Sequence, residues 1–141
     1  MPDRTETGKF GEDSASRFLL NRSYRIIERN YRIGKLGEID IIAEKRDGLW
    51  PFGKKTVVFV EVKAIISSKN SKTKDNLAAY NPEMRVGPEK QKRLRRLCMA
   101  YLSRKGLFYD ISWQIDVIAV EIDAFSGEVK EIRHHENAVH E

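Results

Sequence analysis

The sequence predicts a mixed α/β fold of element order αβββαββ, a sheet with one helix on each face. Three observations carry this. Two stretches repeat apolar residues at helical spacing, one of them opening on Pro88 and closing on Gly106. Five strand-like runs fall between them or after them, three before the second helix and two beyond it. Helices at both ends of a strand cluster need two apolar faces to cover, so one settles on each side of the sheet. The 141 residues suit one domain, with a core over about 8–133 and a solvated, flexible tail over 134–141.

The first helix runs from about Gly8 to Asn21, where Phe10, Ala15, Phe18 and Leu19 recur at three-to-four spacing. Tyr24 to Tyr31 reads as a strand, and Ile33-Gly34-Lys35 as the turn into a second strand, Gly37 to Glu44. Asp47-Gly48 and Pro51 to Gly53 are turn chemistry, with Trp50 and Phe52 forming an ordinary hairpin-tip cluster. Thr56 to Lys63 is a third strand. From Ala64 to Gly87 the chain is polar and without period, a long connection of the functional or mobile kind. The second helix carries the stripe Leu94, Leu97, Cys98, Tyr101 and Leu102. Strands at Trp113 to Glu121 and Glu128 to Arg133 close the domain around the turn Phe125-Ser126-Gly127.

Composition excludes several classes. Apolar residues make up 40% and charged residues 33%, so wholesale disorder is not expected. No apolar run approaches the roughly 20 residues that span a bilayer, and no hydrophobic segment of signal type follows Met1. No membrane partner is therefore expected. The single cysteine, Cys98, permits no internal disulfide and fits the cytoplasm. Net charge is +5, but its distribution says more: Lys90, Lys92, Arg93, Arg95 and Arg96 crowd seven positions, with Lys69, Lys72 and Lys74 upstream. Such clusters suit phosphate, and equally a solvated helix face.

The third strand holds the anomaly. Val57, Phe59, Glu61 and Lys63 share a face by alternation, so two charged groups continue a face that starts apolar. Alternation in the second strand puts Glu38, Asp40 and Ile42 on one side and Ile39, Ile41 and Ala43 on the other. If these strands pair as a hairpin, Asp40 and Glu61 come side by side, about 5 Å apart. Glu12 lies on the edge of the first helix's apolar stripe, aimed at the sheet. Carboxylates gathered so closely call for a cation, and oxygen-only donors favour Mg²⁺ or Mn²⁺ over zinc. Cys98 belongs to an apolar stripe, and His134, His135 and His140 to the solvated tail, so none is expected to ligate. A lysine beside such a metal suits phosphodiester hydrolysis. Lys90 starts the inward stripe of its helix and is expected near phosphate or the site; Lys92, Arg93, Arg95 and Arg96 form a general electrostatic surface. Asp116 is as well explained by a structural hydrogen bond as by catalysis, and Glu38 by an outer carboxylate or a solvated strand start.

Asp40 with Glu61-Val62-Lys63 resembles the Asp…Glu-x-Lys motif of the restriction-endonuclease-like, or PD-(D/E)xK, nucleases. Gly8…Gly11-Glu12…Ala15, Gly37-Glu38-Ile39-Asp40, Val58-Phe59-Val60-Glu61-Val62-Lys63, Lys90 and Asp116-Val117-Ile118 more closely resemble the small bacterial YraN/UPF0102 family, itself similar to archaeal Holliday junction resolvases. The resemblance extends from about Gly8 to Val120. It implies an αβββαβ core with a mixed sheet, and Mg²⁺ held by Asp40, Glu61 and the Val62 carbonyl. It implies too that Glu12 completes the site, that Lys63 assists catalysis, and that homodimers act on branched or duplex DNA. The chain departs from the family where Ala64-Ile65-Ile66 replaces a basic or polar pair, and in a longer Asp47 to Lys55 loop. The expected activity is a metal-dependent DNA endonuclease; the alternative is a non-catalytic nucleic-acid-binding or assembly protein on a nuclease scaffold.

Overall fold

The computed structural model describes residues 4–48, 53–68, 86–107 and 111–139. Lys69, Lys72, Lys74, Trp50, Phe52 and His140 lie outside them. The elements follow the expected order: α1 (Arg4–Asn21), β1 (Arg25–Ile33), β2 (Gly37–Asp47), β3 (Lys54–Ser67), α2 (Pro88–Arg104), β4 (Ser112–Asp123) and β5 (Val129–His135). The sheet is mixed, in strand order β1-β2-β3-β4-β5. Among the described strands only β3 and β4 run parallel, which requires a long crossover, and α2 lies within it.

Each helix covers one face. On the α2 side, Leu94, Leu97, Cys98, Tyr101 and Leu102 pack with Ile39, Ile42, Val57, Phe59 and Val117. On the α1 side, Ala15 and Leu19 pack with Ile41, Ala43, Val58, Val60 and Ile118. Because both faces of β3 are covered, the five residues Thr56 to Val60 are all buried, which is why the run reads as continuously apolar. α2 begins where the sequence marks it, with Pro88 in its first turn, and stops where Gly106 takes φ +67. Gly37 (φ +134) opens β2 close under α2: a Cβ there would lie 3.5 Å from both Arg93 Cδ and Leu97 Cδ1.

Three expectations need correction. β3 does not end at Lys63; Ala64 to Ser67 continue it, paired with Val120 to Asp123 of β4. Parallel pairing to a buried neighbour extends a strand that composition alone leaves as loop. Phe10 is not part of the α1 core but is 40% exposed, and Gly11 takes the inward position, one turn before Ala15. Residues 134–139 of the supposed flexible tail are packed: β5 runs through His135, Val139 is buried in the α2-side core, and the Ala138 N–H donates to the Ile115 carbonyl at 2.8 Å.

A candidate metal and phosphate site at the fork of two strands

β2 and β3 pair antiparallel, and the last matched residues are Ile41 and Val60. One step further the register sets Asp40 across from Glu61. There the ladder gives way: the Asp40 carboxylate, not a backbone carbonyl, accepts the Val62 N–H at 2.8 Å. Asp40 is thereby oriented by the strand that carries Glu61 and Lys63.

The side on which Asp40 lies was not what alternation predicts. Ile39 and Ile42 belong to the α2-side core, and Ile41 and Ala43 to the α1-side core. Asp40 and Ile41, consecutive in sequence, therefore share the α1 side, and Ile42 does not accompany Asp40. β1 breaks phase at the same rung. Arg29, opposite Ile41, reaches α1 acids, whereas Tyr31, opposite Ile39, packs on the α2 side. Between them Asn30 adopts φ +52, a left-handed conformation that a short amide side chain tolerates. This double irregularity turns Asp40 toward α1.

There it meets two more acids. Glu12, Glu38 and Asp40 each offer a carboxylate oxygen, and these oxygens lie within 4.8 Å of one another. An open cleft of about 580 Å³ takes in Glu12, Asp13, Arg29, Asn30 and Glu38. Glu12 is brought close by its neighbour: an added Cβ on Gly11 would stand 3.1 Å from the Ala64 Cβ, so α1 approaches β3 about as closely as backbone permits. Burial first, then the charge of Glu61, pushes the Asp40 carboxyl up to about 7; Glu12 and Glu38 add to the rise and the Val62 N–H opposes it. The Glu12 carboxyl is also raised, chiefly by burial, against the pull of Asn30 and Arg29. Crowded, partly desolvated carboxylates with oxygen donors only are a donor set that fits a hard divalent cation.

Glu61 stands apart from that group. It continues the α2-side row of Val57 and Phe59, and its Oε1 lies 2.7 Å from Lys90 Nζ. Asp40 and Glu61 therefore enter the fork from different side-chain rows, close enough for the charge of Glu61 to raise the Asp40 carboxyl. Lys63, two residues further along β3, is half-buried. Lys90, expected on the inward stripe of its helix, is instead exposed, with its ammonium on Glu61. Lys92, Arg93 and Arg96 are exposed and line a separate open cleft of about 440 Å³ on the α2 side, together with Lys35 and Glu89.

Asp116 has a structural place. It is fully buried and takes three donors: Gln114 Nε2 and the Asn137 N–H on Oδ1, both at 2.8 Å, and His134 Nε2 on Oδ2 at 2.7 Å. Asp116, His134 and Glu136 form a second group of close ligand atoms. Glu136, however, already accepts from Tyr24 Oη and Lys45 Nζ. His134 is thus not solvated, as the tail reading had it; its side chain is 10% exposed between Phe18 and Tyr24.

Sequence reasoning missed Arg29, Asn30 and Lys35. Arg29 bonds Asp13 at 2.7 Å, lies 3.7 Å from Glu12, and keeps a buried Nε without a hydrogen-bond partner. A signal was present for Asn30, a turn-type residue in the middle of a strand, and for Lys35 at a hairpin tip. Nothing local marks Arg29.

The chain is thus an α/β protein with a carboxylate cleft able to hold a metal at the fork of its sheet. It belongs to the family described as Uncharacterised protein family UPF0102, whose model matches residues 11–120. It is 40% identical over 122 residues to a UPF0102 protein of Syntrophus aciditrophicus, covering 86% of this chain and 81% of that one. A UPF0102 protein of Geobacter sulfurreducens is 39% identical over 132 residues, covering 93% and 86%. Among solved structures, that of Pyrococcus furiosus SfsA in complex with Ca²⁺ aligns at 16% identity with a TM-score of 0.39, over 95% of this chain and 64% of that chain. Similarity that low carries no argument. Among the described residues no helix is long and apolar enough to cross a membrane.

Proposed function

We propose that the chain is a divalent-metal-dependent DNA endonuclease, using Mg²⁺ or Mn²⁺ to hydrolyse phosphodiester bonds at the β2–β3 fork. The observation that carries the reading is the meeting of Glu12, Glu38 and Asp40 next to the strand bearing Glu61 and Lys63. A divalent cation bound there supplies Lewis acidity toward a phosphoryl oxygen. Asp40, Glu61, Glu12 and the Val62 carbonyl hold it, and Glu38 replaces or supplements one of them. The Lys63 ammonium orients the attacking water or stabilises charge on the phosphate.

The two clefts differ in sign, which supports a path for the substrate. The α1 side of the fork is acidic, and the α2 side carries Lys35, Lys92, Arg93 and Arg96. A nucleic acid backbone lies on the α2 side and brings one phosphate to the fork, and a homodimer presents two such sites to branched or duplex DNA. The protein works in the cytoplasm, where DNA and Mg²⁺ are both at hand.

Incubation with duplex, single-stranded and four-way-junction DNA plus Mg²⁺ or Mn²⁺ tests this. Cleavage should be abolished in Glu61→Gln and fall sharply in Lys63→Ala; cleavage undiminished in both refutes the assignment. Lys35→Ala and Arg93→Ala should each weaken binding uniformly across sequences and lower the salt slope by about one. The rival is a non-catalytic nucleic-acid-binding or assembly protein on this scaffold, favoured by Lys90 already occupying Glu61. DNA binding that falls with salt, without metal-dependent cleavage of any substrate, selects it.

A further inference from the structure

Lys90 is placed where a helix does not favour it. It is the third residue of α2, in the first turn, where unpaired N–H groups and the helix dipole favour anions. Glu89 suits that position; Lys90 does not. What holds the ammonium is Glu61, across the gap to β3, at 2.7 Å. The Glu61 side chain is 13% exposed and that of Lys90 is 45% exposed, so the carboxylate is the committed partner and the lysine retains a way out to solvent. In sequence Lys90 lies beside Glu89, Lys92 and Arg93, which line the basic cleft. Its ammonium pairs with the Glu61 carboxylate, and its chain neighbours line the cleft that a phosphate would enter.

We propose that Lys90 is a placeholder cation: it neutralises Glu61 until nucleic acid arrives, then transfers to a backbone phosphate and leaves Glu61 to a divalent metal. This rests on the reading of Glu61 as a metal ligand. A lysine suits the exchange, being a compact point charge on a flexible stem, where a forked guanidinium would hold the carboxylate more firmly. The consequence is coupling. Each phosphate contact made by Lys90 removes a competitor for Glu61, so metal and nucleic acid raise each other's affinity by the same factor. A site regulated this way stays poorly metallated when no substrate is bound, which limits stray hydrolysis.

The test is Mn²⁺ binding to the protein alone, by calorimetry or by the electron paramagnetic resonance of free Mn²⁺, for wild type, Lys90→Met, Glu61→Gln and the double variant. Thermal melts establish that each is folded. Lys90→Met should bind Mn²⁺ roughly twofold to fivefold tighter, the range for releasing a half-exposed ion pair. Lys90→Arg should not gain. The gain should vanish in the Glu61→Gln background, as a contact requires and a through-space field does not. In Ca²⁺, Lys90→Met should bind a DNA duplex more weakly than wild type and lose most of the Ca²⁺ enhancement of that binding. A gain that persists without Glu61, or Lys90→Met binding Mn²⁺ no tighter while Glu61→Gln binds it more weakly, overturns the placeholder and leaves Glu61 a ligand. Unchanged Mn²⁺ affinity in Glu61→Gln overturns both.

Discussion

Asp40→Asn should make the metal-free protein more stable, and only above the acidic range. The Asp40 carboxyl is raised from 3.8 to about 7 in the fold, by burial and by Glu61. Between those values the folded chain keeps a proton that the unfolded chain has released, so stability falls as pH rises through this window and stays low above it. A gap of that size corresponds to about 4 kcal/mol at pH 8. Glu61, Glu12 and Glu38 share the rise and relax in part, and Asp40 is not fully buried, so about 2 kcal/mol is expected. Asn has no charge to desolvate and its amide oxygen can still accept the Val62 N–H. In a domain of this size the gain is roughly 6 °C in Tm. Thermal melts in EDTA at pH 4 to 8 measure it: the two proteins should converge at pH 4 and separate by pH 8. Mn²⁺ at 100 times Kd should then stabilise wild type by about 2.7 kcal/mol and the variant far less. A difference between the two proteins that is the same at pH 4 and pH 8 refutes the reasoning.

Asp116→Ala should cost about 3–5 kcal/mol in urea denaturation, since it strands the buried donors of His134, Gln114 and Asn137. A loss under about 1 kcal/mol would show that the carboxylate does not hold the C-terminal segment. Gly11→Ala gains about 1 kcal/mol of helix propensity and loses a similar amount by crowding Ala64. Its Tm should therefore move little, while displacement of Glu12 lowers Mn²⁺ affinity; unchanged affinity argues against Glu12 as a ligand. Leu97→Ala, in the α2-side core, should cost about 2–5 kcal/mol by calorimetry.

Much of the fold was legible because its signals are local. Pro88 and Gly106 bound α2, its five apolar positions pack as their spacing predicts, and Gly34 with Gly37 marks the hairpin that brings β2 to β1. The acids of the site could be singled out for the same reason: a charge inside an apolar strand is visible without a partner. Errors arose where a distant element decides. Phe10 fits a helical stripe, but close approach to Ala64 is open only to Gly11, and α1 turns accordingly. Residues 134–139 look like a polar tail until Asp116, eighteen residues before His134, provides the acceptor that fixes them. Ala64 to Ser67 look like loop until β4 lies beside them.

Element order, the two-sided burial of the sheet and the identity of the carboxylates at its fork follow from the residues read in order, since periodicity and misplaced charge are properties of short segments. How those carboxylates divide is settled by packing between distant elements. The phase break at Asn30 and Asp40 sends Asp40 to Glu12 and Glu38, while unbroken alternation in β3 sends Glu61 to Lys90. Which side of a sheet a residue takes depends on backbone angles at one rung, and which cation meets it depends on a helix 29 residues away in sequence, from Glu61 to Lys90. Neither is written in any window of residues short enough to read.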